Sequence, residues 1–281
     1  MNELIYRLSN VSYSYGAACA VEDFSLSISG GETVAVLGSN GSGKTTLLKM
    51  LNGLLFPTDG AIEFSGAPLK EEALTGEFRR CFRERVGYVF PESDVQLFCP
   101  TVFDELAFGP LQLQMPDDEV RGRVSSLMEM LGIEALKARP PYTLSTGEKK
   151  KVAIASVLSI NPDVLLLDEP TDGLDPRSQV WLFEVLQGLR ELKKTIIIST
   201  HDLSLAEDLT ERSVVIDESH HKAADGPTHE ILNNRELLLR ANMIHEHTHR
   251  HGAIVHSHSH GPFSRHDEHD FADKERKRRG D

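Results

Sequence analysis

Between Gly38 and Thr45 the chain reads GSNGSGKT, and no other stretch restricts its fold so strongly. The spacing G-x-x-x-x-G-K-[ST] requires a strand that ends in a glycine loop and a helix that begins at the lysine. The glycines let successive backbone N–H groups close around phosphates, Lys44 reaches the β- and γ-phosphates, and the Thr45 hydroxyl is suited to Mg²⁺. The flanking sequence agrees. FSLSISGGETVAVL at 24–37 alternates, turns at Gly30-Gly31 and rises again, which reads as two strands joined by a tight connection. From Lys44 onward Leu47, Leu48 and Leu51 repeat at helical spacing up to Gly53, a C-terminal stop, and PTDG at 57–60 is a turn. Gly38, Ser39, Asn40, Gly41, Ser42, Gly43, Lys44, Thr45 and Thr46 are therefore the candidate phosphate cradle.

Further along, TVFDELAFG and DDEVRGRVSSLMEMLG are helical and polar, separated by Pro110 and Pro116, and suggest a helical insert over about 91–160. DVLLLDE at 163–169 and KTIIISTH at 194–201 are short continuous apolar runs of the kind covered on both faces of a sheet, with a helix between them around 176–191. Alternating strands and helices imply an α/β protein with a mainly parallel sheet, whose strand order the pattern leaves open.

Three further groups fit the chemistry of the glycine loop. Asp168 closes a hydrophobic strand, where a carboxylate can complete a Mg²⁺ shell through water, and Glu169 next to it is placed to act on an attacking water. In LSTGEKKKVAIA, Ser145 and Glu148 form a capping box, and Gly147 in the first turn bares N–H groups that favour an anion. His201 follows the last of the apolar strands, where it can contact a phosphate or orient water.

Composition narrows the classes. A length of 281 residues allows one large domain with an appendage. The formal net charge of −13 argues against a nucleic-acid binder, which needs a basic face. No apolar run approaches the roughly 20 residues that span a bilayer, and MNELIYRLSN lacks the centre of a signal peptide, so the expectation is a chain that stays in the cytosol. Cys19, Cys81 and Cys99 are odd in number and widely spaced, which offers neither a disulfide framework nor a CxxC metal site.

Taken in order, these motifs resemble the ATP-binding subunits of ABC transporters over residues 3–242. The resemblance makes GSNGSGKTT the Walker A motif, LSTGE a variant signature, VLLLDEP the Walker B motif, TDGLDP with Asp175 the D-loop, and His201 the switch histidine. It implies a P-loop core with an N-terminal antiparallel β subdomain and the helical insert. Tyr15 in YSYG would stack on adenine, with Tyr13 the weaker candidate. Two such subunits would pair head to tail, as a homodimer, with Ser145 and Gly147 of one facing the phosphate held by Lys44 of the other. ATP and Mg²⁺ are the implied ligands. VGYVFPESDVQLFCPTVFDELAFGP is similar to the cobalt/nickel branch of energy-coupling-factor transporters, which implies a peripheral ATPase on the cytoplasmic face of the membrane, docked on integral membrane subunits and driving Co²⁺ or Ni²⁺ uptake.

Departures from the family are Pro91 in place of the Q-loop glutamine, which leaves the magnesium shell short of a ligand, and Thr146 and Glu148 in the signature. Gln96, five residues later, would need a re-routed loop to substitute. Other readings of the whole are a vitamin-importing ATPase of the same type, a non-transport ABC ATPase, whose usual coiled-coil insertion or tandem domain is not in this sequence, and a metal-storage protein resting on the tail.

That tail, from 243 to 281, is His-rich and then basic, with few large apolar groups, and composition leads us to expect disorder. Its His245, His247, His249, His251, His256, His258 and His260 are candidate ligands for Ni²⁺ or Co²⁺. As a helix they would pair at i,i+4, and as an extended chain alternate residues would align.

Overall fold

The computed structural model describes the backbone of residues 3–251 and 254–260, and side chains through Ile244. Two sheets form the body. The first is antiparallel, built from β1 (Leu4–Tyr15), β2 (Ala18–Ser29), β4 (Asp59–Phe64) and the short β5 (Ala67–Pro68) in the order β2-β1-β4-β5. The second contains β3 (Thr33–Leu37), β6 (Val86–Val89), β7 (Val164–Asp168), β8 (Thr195–Thr200), β9 (Arg212–Ile216) and β10 (Lys222–Pro227), ordered β10-β9-β3-β8-β7-β6. All of its pairings are parallel except that of β10 with β9. The two strands expected around Gly30-Gly31 therefore lie in different sheets: β2 ends the antiparallel layer and β3 enters the parallel one.

The apolar runs behave as sheet interior. Every residue of β3, β7 and β8 is buried. Side chains alternate between two cores, as the period of a strand demands. Leu166 and Ile197 face the antiparallel sheet with Phe24, Phe64, Phe82 and Leu48, whereas Leu165, Leu167, Ile196 and Ile198 face Ile154, Leu182 and Leu186. Leu47 and Leu48 belong to α1 (Lys44–Leu51), Phe82 to α2 (Gly76–Arg85), and Leu182 and Leu186 to α7 (Pro176–Glu191).

A helical unit lies over 91–160, made of α3 (Ser93–Gln96), α4 (Val102–Gln112), α5 (Asp117–Leu131) and α6 (Thr146–Leu158). Val102, Leu106, Val124, Leu127, Met128 and Val152 form its own core. Thr101 caps α4 by accepting from the Asp104 N–H at 3.1 Å. Pro110 does not end this helix, which continues to Gln112, because a proline in the last turn removes only one backbone donor. Gly132, in the left-handed region at φ 66°, closes α5.

The chain finishes with α8 (Leu203–Leu209), α9 (Thr228–Asn233) and α10 (Arg235–Arg240). Ile231, Leu238 and Ile244 pack on Leu37 and Val215, with Met243 against them, so packing runs two residues past the expected boundary at 242. Where composition led us to expect disorder, β11 (His245–His251) and β12 (Ile254–His260) pair as an antiparallel hairpin. Its register sets His245 opposite His260, His247 opposite His258 and His249 opposite His256. The basic end, 261–281, lies outside the described residues.

Candidate functional site

Because β3, β7 and β8 run parallel and adjacent, their carboxyl ends open on one edge of the sheet, the usual place for a ligand crevice in an open α/β sheet. Leu37 pairs with Thr200 and Asp168 with Ser199 in the register, which delivers the glycine loop, the Asp168-Glu169 pair and His201 to the same edge.

The loop from Gly38 to Gly43 depends on missing side chains. Gly41 and Gly43 sit at φ 85° and 111°, and a Cβ on Gly43 would stand 2.0 Å from the Ala20 carbonyl oxygen. A Cβ on Gly38 would come within 2.4 Å of the Ser42 Oγ. The α1 helix opens at Lys44 with no side-chain cap and no acidic residue in its first turn, so its N–H groups and positive dipole end face the loop uncompensated. Ser42 Oγ is buried and without a hydrogen-bond partner among the described residues. An orphaned hydroxyl inside a ring of backbone donors fits a phosphate. The Lys44 ammonium, almost wholly buried, donates to the carbonyls of Gly38 at 2.8 Å and Ser39 at 3.1 Å and pairs with Glu169 Oε1 at 3.0 Å.

Asp168 is fully buried and accepts three hydrogen bonds, from Thr45 Oγ1 at 3.1 Å, from Tyr88 OH at 2.8 Å and from Ser199 Oγ. Burial, and next the carboxylate of Asp168, push the Tyr88 hydroxyl far above its ordinary pKa, so it is a fixed donor. Thr45 and Asp168, held together, match the hydroxyl and carboxylate that a hard cation such as Mg²⁺ takes.

Glu169 lies at φ 43°, a left-handed conformation that costs a non-glycine residue about 1 to 3 kcal/mol. Its N–H is tied to the Ser199 carbonyl at 3.0 Å, and the bend turns its carboxylate between Lys44 and His201. His201 Nδ1 lies 3.0 Å from Glu169 Oε2, and its backbone N–H donates to the same oxygen at 3.4 Å. Ligand atoms of Glu169, Asp172 and His201 come within 4.8 Å of one another beside an open cleft of about 410 Å³.

The remaining expected residues sit further out. Tyr15 is half exposed, meets Tyr13 edge-on at 4.9 Å, and accepts a long hydrogen bond from Thr46 Oγ1 at 3.5 Å. Ser145 and Glu148 form the expected capping box. Asp175 caps α7 through the Ser178 N–H at 3.0 Å, and a Cβ on Gly147 would lie 2.6 Å from Ser178 Oγ, so the signature glycine seats α6 against the start of α7. Among the described residues, neither Ser145 nor Gly147 bonds to Lys44 or Asp168 within this chain.

Sequence comparison decides the family. The profile described as ABC transporter matches residues 21–172. The chain belongs to the ABC transporter family. It is 46% identical to the nickel import ATP-binding protein NikO of Rhodobacter capsulatus over 243 residues, covering 85% of this chain and 95% of the relative. Among solved structures, cbiO1 from Clostridium perfringens, described as part of the ABC transporter complex cbiONQ, superposes with a TM-score of 0.73 at 36% identity, covering 86% of this chain and 95% of that one. The dimeric structure of MJ0796, titled a bacterial ABC transporter cassette, gives a TM-score of 0.71 at 26% identity, over 80% of this chain and 99% of that one.

This ABC ATPase site includes residues that motif reading passed over. Tyr88 stands inside the quoted VGYVF and Ser199 inside TIIIST, yet each acts through Asp168, 80 and 31 residues away in sequence, and only the sheet register joins them. Lys150 is a third: nearly fully buried, it donates to the Pro91 carbonyl at 2.7 Å. Burial lowers its pKa, opposed by the charges of Asp172, Asp168 and Glu169. Lys150 is the middle of three successive lysines in GEKKKVA, and nothing local in that run sets it apart from Lys149 and Lys151.

Proposed function

We propose that this ABC ATPase powers a membrane importer of Ni²⁺ or Co²⁺, acting as a dimer with two composite ATP sites at the cytoplasmic face of the membrane. The observation that carries the motor chemistry is the Lys44–Glu169–His201 chain set beside Asp168 and Thr45. Phosphate oxygens entering the glycine loop compete with Glu169 for the Lys44 ammonium. That exchange frees a carboxylate already aimed by His201 to orient a water and accept its proton. Thr45 and Asp168 would hold Mg²⁺, which when bound neutralises charge on the phosphates. Tyr15 would carry the adenine, and Ser145 and Gly147 would serve the partner's nucleotide; the dimeric relative supports the pairing of two such chains.

Cargo and docking rest on two further supports. The relatives named for nickel import and for the cbiONQ complex are similar over most of both chains. Val95, Phe98, Phe108 and Leu111 leave an apolar patch exposed on the helical unit, with Phe98 and Phe108 edge-on at 4.9 Å, suited to an apolar membrane partner. Among the described residues no helix is long and apolar enough to cross a membrane, so spanning would fall to other subunits. The histidine segment 245–260 adds a binding site for the same class of ion, since imidazole suits Ni²⁺ and Co²⁺.

Uptake of radiolabelled Ni²⁺ and Co²⁺ into cells with the chain, without it, or with Glu169→Gln tests the assignment. Uptake that needs the intact chain supports it. Metal uptake equal in all three, or ATP-dependent uptake of a vitamin instead, overturns it.

A further inference from the structure

Two other parts of the chain close on the glycine loop. The end of β9 meets its start, where a Cβ on Gly38 would stand 2.8 Å from the Ile216 carbonyl oxygen. β2 meets its end, through the Ala20 carbonyl against Gly43. The turn at 217–221, between β9 and β10, joins all three. Asp217 closes this turn: its N–H donates to the His221 carbonyl at 3.1 Å, and its Oδ1 accepts from the N–H groups of Ser219 at 2.9 Å and His221 at 3.1 Å. The turn is tied to β2, where the Glu22 N–H donates to the His220 carbonyl at 3.0 Å. It is tied also to the segment after α10, where Asn242 Nδ2 donates to Glu218 Oε1 at 2.7 Å.

From this anchored turn His220 reaches the glycine loop. Half-buried, it sets its Nδ1 3.1 Å from the Ser42 carbonyl oxygen. A carbonyl can only accept, so Nδ1 carries the proton and donates. His221 does not follow, and its ring turns back to the Ser219 carbonyl at 2.8 Å. The turn needs no imidazole for its own shape. His220 lies at φ 66°, a left-handed conformation that glycine adopts freely and asparagine readily, and Asp217 with the backbone closes the turn around it. What the imidazole adds is the bond to Ser42.

That bond also acts on the next residue. The Ser42–Gly43 peptide is trans, so its N–H points opposite to its carbonyl. A carbonyl held by His220 therefore commits the Gly43 N–H to the side away from the turn. Gly43, at φ 111°, has no side chain to restrict this peptide, so its direction depends on what fixes it from outside. We propose that His220 is a positioning residue for nucleotide binding: by holding the Ser42 carbonyl, its imidazole presets the Gly43 N–H, one of the backbone donors of the cradle, for the phosphates of ATP. Preset donors bind without first having to be ordered, so the effect falls on nucleotide affinity rather than on the step assigned to Glu169 and His201. The inference rests on ATP phosphates entering the glycine loop and is independent of the cargo.

Titration calorimetry with MgADP and steady-state hydrolysis of MgATP by the full-length protein test it, with a melting curve for each variant and Lys44→Ala as the reference. His220→Ala should weaken MgADP binding and raise the KM for ATP about five-fold or more, while kcat at saturating ATP falls less than about two-fold. His220→Gly should lose as much affinity although its backbone enters the left-handed region freely, which separates the lost donor from strain. His220→Asn places an amide N–H where Nδ1 stood and tolerates the same backbone, so its affinity should stay within about two-fold of wild type. A His220→Ala protein that binds like the wild type would overturn the proposal. So would an equal loss in His220→Asn and His220→Ala when both melt like the wild type. Wild-type protein that binds MgADP no better than Lys44→Ala would remove the cradle itself, and with it both the inference and the ATP site beneath it.

Discussion

Tyr88→Phe isolates one bond of the site without opening a cavity, because phenylalanine keeps the ring and loses only the hydroxyl. That hydroxyl donates to a fully buried carboxylate at 2.8 Å, leaving Asp168 with Thr45 and Ser199 as its donors once it is removed. A hydrogen bond to a buried charge is worth about 1.5 to 3 kcal/mol, and the carboxylate cannot recruit bulk water in compensation. In a domain of this size each kcal/mol corresponds to roughly 2 to 4 °C, so Tyr88→Phe should lower Tm by about 3 to 12 °C. Urea unfolding at neutral pH gives the free energy directly. Ser199→Ala removes a second donor from the same carboxylate, and the double variant should depart from additivity by about 0.5 to 3 kcal/mol. A Tyr88→Phe protein within about 0.5 kcal/mol of wild type, or strict additivity with Ser199→Ala, would refute the picture of one shared, fully desolvated acceptor.

Three other outcomes follow from individual contacts. Gly43→Ala places a methyl against the Ala20 carbonyl in a left-handed backbone, and should weaken ATP binding, read by calorimetry, and lower stability by more than about 1 kcal/mol. The Ser145 N–H, the largest influence, holds the Glu148 carboxyl below its ordinary value. Its share of stability is therefore complete above the unfolded value of about 4.3 and is lost as pH falls through the folded one; Glu148→Gln should flatten the acid limb of the urea-stability curve. Truncation after Ile244, which keeps Met243 and Ile244 on their core, should leave ATP turnover within about two-fold and abolish Ni²⁺ binding measured by titration calorimetry.

The sequence exposed the parts of this site whose physics is local. GSNGSGKT announces itself because left-handed glycines and a helix start must be contiguous, and Ser145 with Glu148 can be paired on paper because a capping box spans one turn. The continuous apolar runs ending at Asp168 and Thr200 read as buried strands for the same reason. Strand order was not legible, since β3 pairs with β8 and β9 across more than 150 residues of chain that no local pattern encodes. Tyr88, Ser199 and Lys150 were missed on that account: each is an ordinary residue until the sheet brings its partner alongside. The left-handed turn at Glu169 is a tertiary property too, imposed by the tie to Ser199. In the tail, composition signalled the lack of a core but not the hairpin register that sets histidines opposite one another.

ATP turnover by Glu169→Gln, measured beside ATP binding, tests the central claim most directly. Glutamine preserves the shape of the group between Lys44 and His201 and removes its capacity to accept a proton. Turnover should fall by about 100-fold or more, with ATP bound as tightly as by the wild type or more tightly, since Lys44 loses its competing carboxylate. Hydrolysis at the wild-type rate in Glu169→Gln would contradict the account.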